Sequence, residues 1–104
     1  MSGAWIVAGG RSRLGVEGVL DFDTVVPLMD QSRRYFAGES RRLEVDLQGV
    51  RRANSAGLAL LLEWLELAQE RGISLRFRNL PESLARLAAI TNLTGLLPVI
   101  KGGA

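Results

Sequence analysis

An α/β fold is predicted, with a mixed sheet of four to five strands and helices packed mainly on one face. Apolar residues alternate at period two in short stretches separated by stretches of helical period, in the order β, β, α, β, α, β, α. The strand–helix–strand units between residues 43 and 78 need crossovers, which belong to parallel pairing. A chain of 104 residues has room for one domain, 1–104, burying roughly 65% of its unfolded surface. No repeat, low-complexity block or linker interrupts it.

Each element has its own signal. "AWIVAGGRSRLGVEGVLD" reads as a hairpin around a glycine-rich turn, with Trp5 and Val7 alternating in one strand and Leu14 and Val16 in the other. "GGRSRLG" lacks the lysine and the serine or threonine of a phosphate loop and leads into a strand, so it reads as a turn. Asp23 or Thr24 is expected to cap a helix with Pro27 in its first turn, whose stripe is Val25, Leu28, Met29, Ser32, Tyr35 and Phe36 and which ends at Gly38. "RRLEVDLQGV" is a strand with Leu43, Val45 and Leu47 on one face.

A long helix is expected from Ser55 to Arg71, closed by Gly72, with Leu58, Leu61, Leu62, Leu65 and Ala68 as its core face. Leu60, Trp64 and Leu67 fall outside that stripe, so the apolar arc is wider than one covered side requires. Either a neighbouring helix or a partner protein covers them. Ile73, Leu75 and Phe77 alternate in the next strand. A last helix is expected to start at Pro81, bury Leu84, Leu87, Ala88 and Thr91, and end near Asn92; "LLPVIKGGA" adds a short edge strand.

Composition removes whole classes of chemistry. With no cysteine and no histidine, disulfide scaffolds, thiol catalysis, the usual zinc sites and histidine triads are excluded; no metal or cofactor is expected. The net charge of +2, with 12 of the 13 basic residues arginine, is too small for a strong nucleic-acid field. The arginine pairs at 33, 41 and 51 read as solvated helix ends and loops. The N-terminal arginines follow a very short apolar stretch, the wrong order for a secretory signal, and no apolar run reaches ~18 residues. A cytoplasmic protein without direct membrane insertion is expected, any membrane role passing through a partner.

The segment with the most specific chemistry is "VDLQGVRRANSAGLALLLEWL", residues 45–65, where small residues separate strand from helix. Ser55 is expected as the N-cap, contributing ~1 kcal/mol. Gly57 in a first helical turn costs up to ~1 kcal/mol against alanine, which suggests bare backbone kept open for another chain or for a phosphate at the positive end of the helix dipole. An enzymatic reading would rest on Asp21, Asp23 or Asp46 as acid or base. Asp23 reads better as a cap, and Asp46 as an outward residue of a strand.

"VDLQGVRRANSAGLALLLEW", followed by "GISLRFRNLPESLARLAAITNL", resembles the STAS-domain family over nearly the whole chain. "AGLALLLEWLELAQERG" and "LTGLLP" are most similar to the branch that serves Gram-negative phospholipid ABC transporters of the Mla type. The resemblance implies a non-enzymatic, cytoplasmic subunit held at the inner membrane through the transporter, with an MlaF-like ATPase as partner. Asn54, Ser55, Ala56, Gly57 and Leu58 would form the partner surface. In the anti-sigma factor antagonists of the family, the serine of an Asp-Ser-x-Gly-Leu motif is phosphorylated by a partner kinase. Ser55, Gly57 and Leu58 match that motif, and Asn54 stands where it has aspartate. The alternative implied is therefore an antagonist with an anti-sigma factor and kinase as partners, switched by phosphorylation of Ser55.

Overall fold

The computed structural model describes residues 3–10 and 12–100. Strands β1 (Ala4–Ala8) and β2 (Arg13–Leu20) form the hairpin; helix α1 (Val25–Phe36), strand β3 (Arg42–Ala53), helix α2 (Ser55–Arg71), strand β4 (Ser74–Arg78), helix α3 (Glu82–Ile90) and a 3₁₀ turn (Thr94–Leu96) follow. Arg11 of the glycine-rich turn and the tail from Lys101 onward lie outside the described residues.

The sheet order is β1-β2-β3-β4; β1 and β2 are antiparallel, while β2–β3 and β3–β4 are parallel. Two successive right-handed crossovers in one direction place α1 and α2 on the same face. The alternation of β3 then separates Leu43, Val45 and Leu47, buried under the helices, from Glu44 and Asp46 on the other side. That side stays open. On it Glu44 pairs with Arg13 at 3.1 Å and Arg78 at 2.5 Å, and the hydrogen bond and charge of Glu44 raise the pKa of Arg78 above its ordinary value. Beyond β4 the tail forms a single parallel bridge, Phe77 to Val99, and no fifth strand among the described residues.

Several boundaries differ from expectation for identifiable reasons. Thr24 does not cap α1 with its side chain and neither does Asp23. Asp21 instead orders the turn before the helix: its Oδ1 accepts from the backbone N–H of Asp23 at 2.9 Å and of Thr24 at 3.1 Å, while the Thr24 hydroxyl donates to Val19 O at 2.8 Å. Pro81 is the residue before α3 and not its first, its carbonyl accepting from both Leu84 and Ala85 at 3.0 Å. Thr91 is exposed, and its hydroxyl is satisfied by Leu87 O at 2.8 Å.

The largest correction concerns α2. Leu60, Trp64 and Leu67 are buried, Trp64 completely, whereas Leu62 and Leu65 of the expected core face are only half-buried. Neighbouring helices, not a partner protein, cover the surplus stripe. Packed against the sheet, α1 and α3 together, α2 has apolar neighbours around most of its circumference.

Candidate functional site

The site is built where two neighbouring parallel strands end and their crossover helices begin. At this edge of an α/β sheet, loops rather than ladder bonds meet solvent. The two loops are stitched together: Asn54 N donates to Leu20 O at 3.0 Å, joining the end of β3 to the end of β2.

Asn54, not Ser55, is the N-cap of α2. Its backbone is extended, with φ −113° and ψ −164°, and its Oδ1 accepts from Ala56 N at 2.8 Å. An amide oxygen satisfies the orphan N–H as a carboxylate would, without bringing a negative charge beside Ser55. Ser55 is the first helical residue and is exposed. No acidic residue occupies the first turn of α2, and the exposed Arg51 and Arg52 precede it, so the helix itself brings no counter-charge to the positive end of its dipole.

Gly57 is not an open backbone surface. It is buried, and a Cβ there would lie 3.1 Å from Leu20 Cβ, 3.2 Å from Ala53 Cβ and 3.3 Å from Leu84 Cδ2. Glycine is required because β2, β3 and α3 converge on the first turn of α2. Ala56 and Leu58 are buried as well. Of the five residues expected to form the partner surface, only Asn54 and Ser55 reach solvent; the other three support them from beneath.

The exposed apolar surface beside this corner comes from α1 and the loop before it. The Asp21 hydrogen bonds fold that loop so that Phe22 points outward, 72% exposed, and Val26 one turn later is 66% exposed. Together with Val25, Met29, Ala56, Ala59 and Leu60 they line a groove of about 360 Å³ between α1 and α2, rimmed by Asp30, Arg33 and Glu63. Sequence reasoning placed Val25 and Met29 in the core stripe of α1 and overlooked Phe22 and Val26. The available signal was that Phe22 and Val26 are apolar, four residues apart, and off that stripe.

Nothing at this corner resembles a catalytic constellation. The Asp21 carboxylate is occupied by the turn it builds, and Asp46 Oδ1 accepts from Gln48 N at 3.0 Å and Asn79 Nδ2 at 2.9 Å on the open face of the sheet. Among the described residues no group of three or more potential ligands could hold a metal ion.

The profile of the family described as "Mlab, STAS domain" matches residues 7–98. The chain belongs to the STAS-domain family. It is 30% identical over 90 residues to the intermembrane phospholipid transport system binding protein MlaB of Escherichia coli (strain K12), covering 86% of this chain and 88% of that protein. Among solved structures, an anti-sigma factor antagonist from Mycobacterium paratuberculosis superposes with a TM-score of 0.73 at 18% identity, covering 96% of this chain and 86% of that one. The anti-sigma factor antagonist SpoIIAA in its unphosphorylated form gives a TM-score of 0.71 at 12% identity, over 94% and 88% of the two chains. At those identities the structural likeness establishes the STAS fold, while the sequence similarity points within the family to MlaB. Among the described residues no helix is long and apolar enough to cross a membrane.

Proposed function

We propose that this STAS protein is the non-catalytic accessory subunit of an Mla-type phospholipid ABC transporter. It binds the ATPase subunit on the cytoplasmic side of the inner membrane and supports its assembly or activity. The observation that carries the reading is the position of exposed Ser55 beside an apolar surface groove, in a chain 30% identical to an MlaB over most of both lengths. Ser55 and Asn54 form the polar rim of the contact, and Phe22, Val26 and Met29 form its apolar centre, the arrangement of a protein interface with a desolvated core and a wet edge. Ala56, Gly57 and Leu58 act indirectly, by fixing where α2 begins.

The test is calorimetry against the purified ATPase subunit with Ser55→Asp and Ser55→Ala. A carboxylate at residue 55 is favourable for the free protein, because it meets the positive end of α2. In the complex it is desolvated without an assured partner. Ser55→Asp is therefore expected to fold normally and bind far more weakly than Ser55→Ala. Equal affinity of wild type and both variants would remove this corner from the interface.

The second reading is the phospho-switched anti-sigma factor antagonist, which the exposure of the Ser55 hydroxyl favours. It requires kinase-dependent phosphate on Ser55 and release of an anti-sigma factor, and it makes no demand for ATPase binding. Mass spectrometry after incubation with the kinases of the host separates the two.

A further inference from the structure

Strand β1 lies at one edge of the sheet, and the hairpin register determines which of its backbone groups face outward. Gly9 N donates to Arg13 O at 3.0 Å and Val19 N donates to Gly3 O at 2.8 Å. With Ala4 opposite Gly18 and Ala8 opposite Leu14, the alternation of an antiparallel ladder gives the bonds to β2 to Trp5 and Val7. The N–H and C=O groups of Ala4, Ile6 and Ala8 therefore point away from β2, and among the described residues no other backbone group meets them. The opposite edge, β4, carries Arg76 and Arg78 and is partly covered by the Val99 bridge. In β1, "AWIVA", there is neither charge nor proline, and Trp5 and Val7 are 47% and 42% exposed. Apart from its shortness, the strand has none of the usual protections of an edge among the described residues: no charge, no proline and no covering segment.

We propose that β1 pairs antiparallel with β1 of a second copy of this chain, about a two-fold axis through Ile6. That register sets Ile6 opposite Ile6 and Ala4 opposite Ala8, so every outward-facing group of the strand exchanges hydrogen bonds with its copy. Trp5 falls opposite Val7 on both sides of the axis, in the closer, non-hydrogen-bonded positions where an aromatic residue and a β-branched one pair favourably. Sliding by two residues leaves an outward group unpaired and sets Trp5 against Trp5 or Val7 against Val7; sliding by one breaks the hydrogen-bond alternation. Because the strand has no charge, the two-fold brings no like charges opposite each other. Arg13 and Glu17 stand one strand back, on β2. A five-residue strand pair buries less than the ~1,200 Å² typical of stable complexes, so the dimer is a weak one. The inference is independent of the Ser55 corner, which lies at the starts of α1 and α2.

Sedimentation equilibrium of the full chain from about 10 µM to about 1 mM tests for such a weak dimer, whose population rises with concentration. The wild type is expected to pass from monomer to dimer across the range. Val7→Lys, an exposed substitution that puts a charge on the edge, is expected to weaken association at least ~10-fold with an unchanged melting temperature. The register is read with thiols, since the chain has no cysteine of its own. Ile6→Cys should cross-link to its copy, the paired Cα atoms lying about 5.5 Å apart. Trp5→Cys alone should not, whereas an equimolar mixture of Trp5→Cys and Val7→Cys should form the mixed disulfide. A wild type that stays monomeric throughout, association unaffected by Val7→Lys, or cross-linking without this register preference would each overturn the proposal.

Discussion

Trp64 of α2 donates its indole N–H to the hydroxyl of Ser32 on α1 at 2.8 Å, and both side chains are fully buried. The Ser32 hydroxyl in turn donates a hydrogen bond to Met29 O at 2.7 Å. Every polar atom of this buried relay therefore has a partner, and among the described residues no buried side-chain nitrogen or oxygen lacks one. The bond fixes α1 against α2 in one register. It thereby sets the two walls of the groove, to which α1 contributes Met29 and α2 Leu60.

Ser32→Ala leaves the Trp64 N–H buried without an acceptor and is expected to cost about 1–3 kcal/mol, while Trp64→Phe removes the donor together with some packing. In the double variant Ser32→Ala/Trp64→Phe no donor is orphaned, so its loss should fall short of the sum of the single losses by about 0.5–1.5 kcal/mol. Urea denaturation of the four proteins measures this. Additivity within about 0.3 kcal/mol would show that the bond contributes nothing specific. Trp64→Ala should act as a core truncation, lowering stability by about 3–5 kcal/mol.

Gly57→Ala sets helix propensity against packing. Propensity favours alanine by up to ~1 kcal/mol. The new Cβ, however, meets Leu20 Cβ at 3.1 Å and Ala53 Cβ at 3.2 Å, atoms attached directly to strand backbone that cannot swing aside as a side-chain terminus would. Overpacking of this kind costs about 1–3 kcal/mol, so the variant should be net destabilised, with a lower melting temperature. A rise in melting temperature would mean that the loops at this corner yield more easily than the packing indicates.

The cap of α2 gives a prediction with opposite outcomes for adjacent residues. Asn54→Ala should cost about 1 kcal/mol, because the N–H of Ala56 loses its acceptor. Ser55→Ala, at an exposed position whose hydroxyl makes no hydrogen bond among the described residues, should stay within about 0.5 kcal/mol of wild type. Thermal melts of the two variants decide between these assignments, and a larger loss for Ser55→Ala would restore the serine as the cap.

How far the sequence could be read depends on whether the deciding interaction is local. The order of elements, the α2 span Ser55–Arg71 and its left-handed terminator Gly72 at φ 68° follow from periodicity and a single residue's conformational freedom, and all were legible. What covered Trp64 was not legible, because its hydrogen-bond partner is 32 residues away on another helix. The reason for glycine at 57 was hidden in the same way: Leu20 and Leu84 are remote in sequence, and only their convergence excludes a Cβ. Asn54 and Ser55 are equally good caps by type, and one residue of strand length decided between them. Phe22 escaped notice because its spacing to Val26 is one lone pair off the main stripe of α1, too short to establish a period.

Phe22 and Val26 lead to the last prediction. Both side chains are largely solvated in the free chain, so truncating them should change stability by no more than about 0.5 kcal/mol. If the ATPase subunit covers the groove between α1 and α2, Phe22 becomes a desolvated aromatic anchor, and Phe22→Ala should weaken binding by about 2 kcal/mol or more, roughly 30-fold. Val26→Asp should be at least as harmful, since it buries a carboxylate in an apolar groove whose nearest acidic rim residues, Asp30 and Glu63, would repel it. Phe77→Leu provides the control, since Phe77 is buried in β4 and does not line the groove. Its affinity, measured well below its melting temperature, should remain near wild type. Calorimetric titration of the ATPase with the three variants, paired with thermal melts, distinguishes a docking surface from a merely exposed one. Unchanged affinity for Phe22→Ala and Val26→Asp would place the contact elsewhere on the protein, whatever the behaviour of Ser55.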